Sequence, residues 1–216
     1  LDTDTTLEMF GFFDDLVTER RIRPQDDLVS HLLADAGDEL TTVEVIVFCQ
    51  LLLVAGNETT TNLLGNCLHA VFENPDAGLA VRDEPNLIPG MFEEALRFDS
   101  PVQGTLRRVR HTTPLGGENL SADSRLLVLL GSANRDPSVY PDPDTFAPAR
   151  NPTDHVAFGS GIHFCLGAGL SRLEARVLAD VALSRIRSLR PSGPPIRSGS
   201  AIVRGFSSMP VAVASL

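Results

Sequence analysis

One cysteine lies in a stretch whose residue types and spacing could hold a metal. Residues 157–167 read AFGSGIHFCLG, so Cys165 stands among Gly159, Gly161 and Gly167, directly before a long helical pattern. Such glycines can take backbone conformations closed to other residues and let the main chain approach a flat ligand. A helix N-terminus favours a thiolate over a thiol. The pattern predicts a lone axial ligand for haem iron, whereas Cys165 taken alone favours an ordinary buried cysteine.

A second stretch suited to chemistry lies in the middle of a predicted long helix. Thr41 and Glu44 form a capping-box pattern, and the apolar residues after them predict a helix of about 30 residues that runs past Phe72. Its centre reads AGNETT at residues 55–60. Glycine and a charged side chain are both unfavourable inside a helix, and such conflicts are typical of functional sites. A solvent-facing acid beside two threonines is the alternative interpretation.

The spacing around the cysteine resembles the haem-binding signature of the cytochromes P-450. The pattern Phe-Gly-x-Gly-x-His-x-Cys-x-Gly runs from Phe158 to Gly167, and Arg172 and Glu174 follow it. The resemblance implies that Cys165 is the proximal thiolate ligand of haem b. It also implies that Phe158, Gly159 and Gly167 line the cofactor, and that His163 binds a haem propionate.

The helix centre resembles the oxygen-binding groove of the same family, (Ala/Gly)-Gly-x-(Asp/Glu)-Thr. Ala55 and Gly56 are small, so substrate and oxygen can approach the helix backbone there, and the resemblance implies that both residues lie beside the cofactor. It further implies that Thr59 hydrogen-bonds the bound dioxygen and that Glu58 relays protons from solvent. A hydroxyl and a carboxylate can hold the waters that carry those protons.

A Glu-x-x-Arg pair, Glu94 and Arg97, resembles the family's buried structural pair behind the haem. The family usually completes that network with an arginine before the phenylalanine of a Pro-x-x-Phe stretch, but this chain has Thr145 there. His155 is the first candidate for the missing partner, and Arg150 is the second.

An arginine that follows a Pro-Val-Gln stretch resembles the family's partner for a haem propionate. Arg107 is favoured over Arg108 by the register of the residues that follow, and a guanidinium suits a carboxylate bidentately. The resemblance implies that the substrate side is lined by neighbouring residues and by the tip of a β-hairpin predicted over residues 201–211. These weak substrate candidates are Val102, Gln103, Thr105 and Phe206.

Composition restricts the class of protein. The 216 residues, 43% of them hydrophobic, suffice for one domain with a sizeable core. A net charge of −10 argues against non-specific nucleic-acid binding and against an anionic membrane surface. The longest apolar run, residues 45–56, is shorter than the roughly 20 residues of a membrane helix and predicts a buried helix. Three cysteines without a C-x-x-C pair favour a reducing compartment, so we expect a cytoplasmic protein.

The expected fold is mainly α with small β-sheets, the C-terminal portion of the cytochrome P-450 fold. It comprises one domain over residues 1–216, truncated at its N-terminal side, with a haem-binding core at about 41–190. A helix is predicted from about residue 166 to 189. Its residues Arg172 and Arg176 share a face that could dock an acidic electron donor, although a solvated face is equally compatible.

The resemblance implies a haem-thiolate monooxygenase. It would insert one oxygen atom of O2 into a small apolar substrate, with electrons from NAD(P)H delivered by a ferredoxin or flavodoxin. No nucleic-acid or membrane partner is expected. A haem-thiolate peroxygenase or isomerase stays open, although the acid–alcohol pair Glu58 and Thr59 counts against it. A non-functional or haem-binding-only fragment also stays open.

Overall fold

The longest element of the chain is helix α3, Thr42–Glu73. The computed structural model describes residues 3–37 and 39–216. At the start of α3, the Thr41 backbone N–H donates to Glu44 Oε2 at 2.8 Å, and the Glu44 N–H donates to Thr41 Oγ1 at 3.3 Å. This reciprocal pair is the predicted capping box. The helix ends before Pro75, which begins the next helix.

Helices dominate the described residues, and the strands form small sheets. The other helices are α1 (Thr3–Ile22), α2 (Leu28–Ala36), α4 (Pro75–Asp83), α5 (Ile88–Phe98), α6 (Leu130–Ala133) and α7 (Ala168–Arg185). The strands are β1 (Thr105–Arg108), β2 (Thr113–Leu115), β3 (Glu118–Leu120), β4 (Arg125–Val128), β5 (Ile186–Pro191), β6 (Ile196–Arg197), β7 (Phe206–Ser208) and β8 (Val211–Ser215). They pair antiparallel as β1–β4, β2–β3, β5–β8 and β6–β7. The predicted class, mainly α with small sheets, is confirmed.

The chain divides into two compact units within α3, one in residues 1–58 and the other in residues 59–216. The first has a small core that includes Phe13, Val17 and Ile46, and the second has a larger one around Leu63, Phe92 and Leu96. Residues 1–58 contain 13 acidic and 3 basic side chains, whereas residues 59–216 contain 15 of each. The acidic surplus therefore belongs entirely to the first unit. The single domain over residues 1–216 stays a prediction.

Two predicted elements near the C-terminus are wrong. Helix α7 ends at Arg185, and the residues after it form β5, which pairs with β8. Residues 201–211 are not a hairpin by themselves, because β7 pairs with β6 and β8 pairs with β5. The partner strand of β5 lies about 20 residues further on, where local periodicity carries no information about it.

Helix α3 is the one helix in the described part of the chain that is long and apolar enough to cross a membrane. Its C-terminal part is a core helix, because Leu63, Cys67 and Ala70 are buried in the second unit. Asn66 is fully buried there and hydrogen-bonds the main chain of Asp99. A buried, satisfied amide of this kind is what a folded interior requires. The apolar run 45–56, predicted to be buried, is buried at Val45, Ile46 and Cys49 only. Leu51, Leu53 and Val54 are exposed, so that prediction is wrong for the second half of the run.

Candidate haem-binding site

The loop before α7 holds Cys165 by main-chain hydrogen bonds. The Cys165 N–H donates to the Phe158 carbonyl at 2.9 Å. Gly159 and Gly161 have φ of +72° and +67°, a conformation that favours glycine. Gly167, at the start of α7, has φ of −82°, so the special conformation predicted for it is wrong. A Cβ there would lie 3.9 Å from Cys165 Sγ, so glycine leaves this side of the sulfur uncovered.

The donor set fits a haem. Of the three cysteines, all within the described residues, Cys49 and Cys67 are buried and Cys165 is exposed. Residues 3–37 and 39–216 contain no group of three or more His, Cys, Asp or Glu side chains that could hold a metal ion. A single sulfur suits a metal that brings its other ligands, as iron does in a porphyrin. Ile162 and Leu166 beside Cys165 are 97% and 79% exposed, an apolar surface that a flat macrocycle could cover.

Glu93 on α5 ties the cysteine loop to the core. Arg172 Nε donates to Glu93 Oε1 at 2.6 Å and Arg172 Nη2 donates to Glu93 Oε2 at 2.9 Å. His155 Nε2 lies 3.0 Å from Glu93 Oε2. The Arg172 guanidinium also stacks on Phe158, 4.7 Å from the ring centroid. Arg172, predicted as part of a docking face, is therefore engaged in a bidentate ion pair.

The predicted Glu-x-x-Arg pair is fully buried. Arg97 Nε and Nη2 donate to the two carboxylate oxygens of Glu94, each at 2.8 Å, and both side chains are 0% exposed. Arg150 Nε donates to Glu94 Oε1 at 3.2 Å, so the second candidate completes the network. His155, the first candidate, is wrong in this role because it contacts Glu93 instead. Thr145 contributes its backbone carbonyl, which accepts from Arg97.

The ion pair of Glu93 predicts acid sensitivity. Burial opposes ionisation of this carboxyl, but hydrogen bonds from Arg172 and His155 outweigh it and lower the pKa of Glu93 from 4.5 to about 2. The unfolded chain then binds the proton more tightly, so Glu93 stabilises the fold above about pH 4.5 and this contribution is lost as the pH falls towards 2. The shift corresponds to about 3 kcal/mol. Urea unfolding at pH 6 and pH 3 measures this effect: the free energy of unfolding should change less between the two pH values in Glu93→Gln than in the wild type. An equal change in both proteins would contradict this assignment.

The second half of α3 meets α7 one residue after Thr59. Thr60 Oγ1 donates to Ser171 Oγ at 3.4 Å, and Ser171 lies six residues beyond Cys165. Thr59 itself is half-buried. Ala55, Gly56 and Glu58 belong to the first unit and are exposed, and a Cβ on Gly56 would meet nothing within 4 Å. No packing contact explains this glycine, and the groove role stays a prediction.

The predicted propionate ligands lie at exposed positions. Arg107 lies on β1, where its Nη1 donates to Thr105 Oγ1 at 3.0 Å and to the Leu106 carbonyl at 2.9 Å. Arg108 forms an ion pair of 3.7 Å with Asp123. His163 is exposed in the cysteine loop. The preference for Arg107 over Arg108 and the roles of Arg107 and His163 stay predictions.

The substrate candidates are engaged in protein contacts. Gln103 Nε2 donates to the Ser100 carbonyl at 2.7 Å. The Phe206 ring lies 4.8 Å from that of His69 and beneath the Arg197 guanidinium at 3.9 Å. Val102 forms an isolated antiparallel β-bridge with Val203, and the Thr105 hydroxyl accepts from Arg107. The substrate role of Gln103, Phe206, Val102 and Thr105 stays a prediction.

Sequence reasoning missed a buried carboxylate that fixes the segment containing the β6–β7 pair. Asp99, just beyond α5, accepts from Arg197 Nη2 at 2.9 Å and from Arg204 Nε at 2.6 Å. Asn66 of α3 joins this cluster, because its Oδ1 accepts from Arg197 Nη1 at 3.1 Å. The partners lie about 100 residues apart in sequence, so the signal was only an acidic residue at the end of an amphipathic helix.

Comparisons with known proteins agree with this geometry. The cytochrome P450 family model matches residues 5–198. Cytochrome P-450 107B1 of Saccharopolyspora erythraea is 42% identical over 212 residues, which make up 95% of this chain and 52% of that protein. The chain thus spans about half the length of the curated relatives it matches.

Solved structures show the same fold. The structure of CYP109Q5 from Chondromyces apiculatus superposes with a TM-score of 0.94 at 41% identity, over 99% of this chain and 56% of that one. CYP109E1 from Bacillus megaterium in complex with testosterone superposes with a TM-score of 0.88 at 38% identity, over 94% of this chain and 57% of that one. The match of the family model over most of the chain, together with these relatives, shows that the chain belongs to the cytochrome P-450 family.

Proposed function

We propose that this chain is the haem-bearing C-terminal half of a monooxygenase that inserts one oxygen atom of O2 into a small apolar substrate. The observation that carries the proposal is the exposed Cys165, held in a glycine loop and tied to α5 through Arg172 and Glu93. When bound, the haem supplies the oxidising chemistry. Testosterone in the similar CYP109E1 structure supports an apolar substrate class.

The residues around Cys165 bind and orient the cofactor. The Cys165 sulfur supplies the single protein ligand, and the hydrogen bond from its N–H to the Phe158 carbonyl fixes the loop. The exposed guanidinium of Arg107 and the imidazole of His163 would each bind a propionate; the guanidinium can do so bidentately. Glu94 and Arg97 have no role in the chemistry and hold the core behind the loop.

The residues of α3 would move protons to the oxygen. Glu58 is exposed to water, and the next residue of the helix, Thr59, is half-buried. The Thr59 hydroxyl can donate a hydrogen bond and receive a proton from a water held by the Glu58 carboxylate. Because a peroxide-driven enzyme needs no such delivery from solvent, the pair favours a monooxygenase over a peroxygenase.

Thr59→Ala is the test of this function. In the haem-loaded protein expressed from its complete reading frame, with a ferredoxin and its reductase, we expect product per NAD(P)H to fall by roughly 10²-fold, the lower end of what a positioned proton-transfer group contributes. The NAD(P)H electrons that no longer form product should reduce O2 to hydrogen peroxide. Thr61→Ala, an exposed threonine on the same helix, is the matched control. Unchanged coupling in Thr59→Ala, or full turnover with added peroxide and no donor, would refute the proposal.

The proposed electron donor is a ferredoxin or flavodoxin that binds near Arg176. This residue is on α7 and is 69% exposed, and its contact with Asp180 is long at 3.9 Å. Arg172 contributes less charge to this face because Glu93 neutralises it. The second unit has no net charge, so an acidic donor meets less repulsion there than the total of −10 suggests. A cytoplasmic location fits this donor and the free thiols.

A further inference from the structure

We propose that Glu93 tunes the reduction potential of the haem by cancelling the positive charge of Arg172 beside the cysteine ligand. The inference rests on the proposed function, because it requires Cys165 to ligate the iron. Glu93 is a positioning residue in this account, since it acts through Arg172 and does not touch the cofactor. Its role is distinct from that of its neighbour Glu94, which pairs with Arg97.

The contacts form a short chain from Glu93 to the ligand. The Glu93 carboxylate, 12% exposed, holds the Arg172 guanidinium through two charge-assisted hydrogen bonds of 2.6 and 2.9 Å. That guanidinium stacks on Phe158 at 4.7 Å. The Phe158 carbonyl in turn accepts the Cys165 N–H at 2.9 Å. One residue, Phe158, therefore lies between the Arg172 guanidinium and Cys165 in this series of contacts.

The guanidinium of Arg172 is also close enough to Cys165 for its charge to be felt there. Hydrogen bonding to Glu93 is the main cause that raises the pKa of Arg172, burial opposes it, and a smaller attraction to Cys165 adds to it. A positive charge near the sulfur stabilises the form of the site that has gained an electron. Glu93 offsets this effect, because a bidentate carboxylate leaves little net charge on the pair.

The charges predict opposite effects for the two partners. Glu93→Gln leaves an uncompensated cation beside the ligand, so the reduction potential should become more positive. Arg172→Gln removes the guanidinium and leaves the Glu93 carboxylate with His155 as its partner, so the potential should become more negative. The double variant E93Q/R172Q removes both charges and should return the potential close to that of the wild type. If Glu93 and Arg172 only supported the fold, the potentials of both single variants would shift in the same direction, and that of the double variant would shift furthest.

The test is a spectroelectrochemical titration of the haem-loaded protein expressed from its complete reading frame, without substrate or donor. Asp180→Asn is the matched control, because it removes one negative charge from α7 and contacts Arg176 instead of Arg172; its potential should stay at the wild-type value. If Glu93→Gln does not fold, a negative shift in Arg172→Gln that is reversed in the double variant still supports the proposal.

The outcomes separate this inference from the proposed function. A wild-type protein whose reduced carbonyl complex lacks a thiolate-type absorption band would refute the function itself. A wild-type protein with that band, in which the two single variants shift in the same direction or do not shift, would overturn only the inference. A shift in Asp180→Asn as large as that in Glu93→Gln would also overturn it, because any charge on α7 would then suffice.

Discussion

Replacing Arg97 by glutamine is expected to destabilise the protein by about 3–5 kcal/mol, the cost of removing one partner from a buried ion pair. Arg97 and Glu94 are both 0% exposed, so water cannot replace the lost guanidinium. Urea unfolding of the wild type and the variant measures the effect. Arg176→Gln is the matched control, because its exposed pair with Asp180 on α7 is worth only about 0.3–0.5 kcal/mol.

The size of this effect follows from how many groups Arg97 satisfies. It donates to both oxygens of Glu94, and also to the backbone carbonyls of Asn134, Pro143 and Thr145. Glutamine cannot reach all of these acceptors, and each buried group left unpaired costs about 1–3 kcal/mol. Arg97→Gln with no greater loss of stability than Arg176→Gln would show that the pair does not hold the core.

The sequence predicted best what is encoded by neighbouring residues. The capping box at Thr41 and Glu44 and the pairing of Glu94 with Arg97 both depend on residues three positions apart. Helical geometry fixes such contacts regardless of the rest of the fold. The cysteine loop was equally local, because its glycines and the helix after it lie within one short stretch.

The sequence could not assign the distant partners of the two neighbouring glutamates. Glu93 and Glu94 differ by one position, which turns their side chains about 100° apart around α5. Glu93 therefore reaches Arg172 and His155, whereas Glu94 reaches Arg97 and Arg150. A sequence pattern does not show which of the two a distant histidine or arginine will meet. For the same reason the Asp99 cluster and the pairing of β5 with β8 were not predicted.

Replacing Cys165 by serine is expected to abolish the thiolate-type absorption of the haem and to weaken haem binding. Serine preserves the size of the side chain and the main-chain hydrogen bond to Phe158, but its hydroxyl is not a thiolate ligand. Neither of the other cysteines can take over this role. Cys49 and Cys67 are buried, and burial raises the pKa of the Cys67 thiol to about 12, which keeps it protonated.

Cys49→Ala is the control for that experiment. The Cys49 side chain packs in the core of the first unit, so its loss costs stability without touching the cysteine loop. The folded fraction of the Cys49→Ala variant should show the thiolate-type band. If Cys49→Ala and Cys165→Ser lost the band together, the loss would report unfolding of the chain instead of removal of a ligand.

The most direct test of the account is the absorption spectrum of the reduced carbonyl complex of the haem-loaded protein. The wild type and Cys49→Ala should both show the thiolate-type band, and Cys165→Ser should bind haem more weakly without it. A thiolate-type band that persists in Cys165→Ser would contradict the assignment of Cys165 as the ligand and, with it, the proposed function.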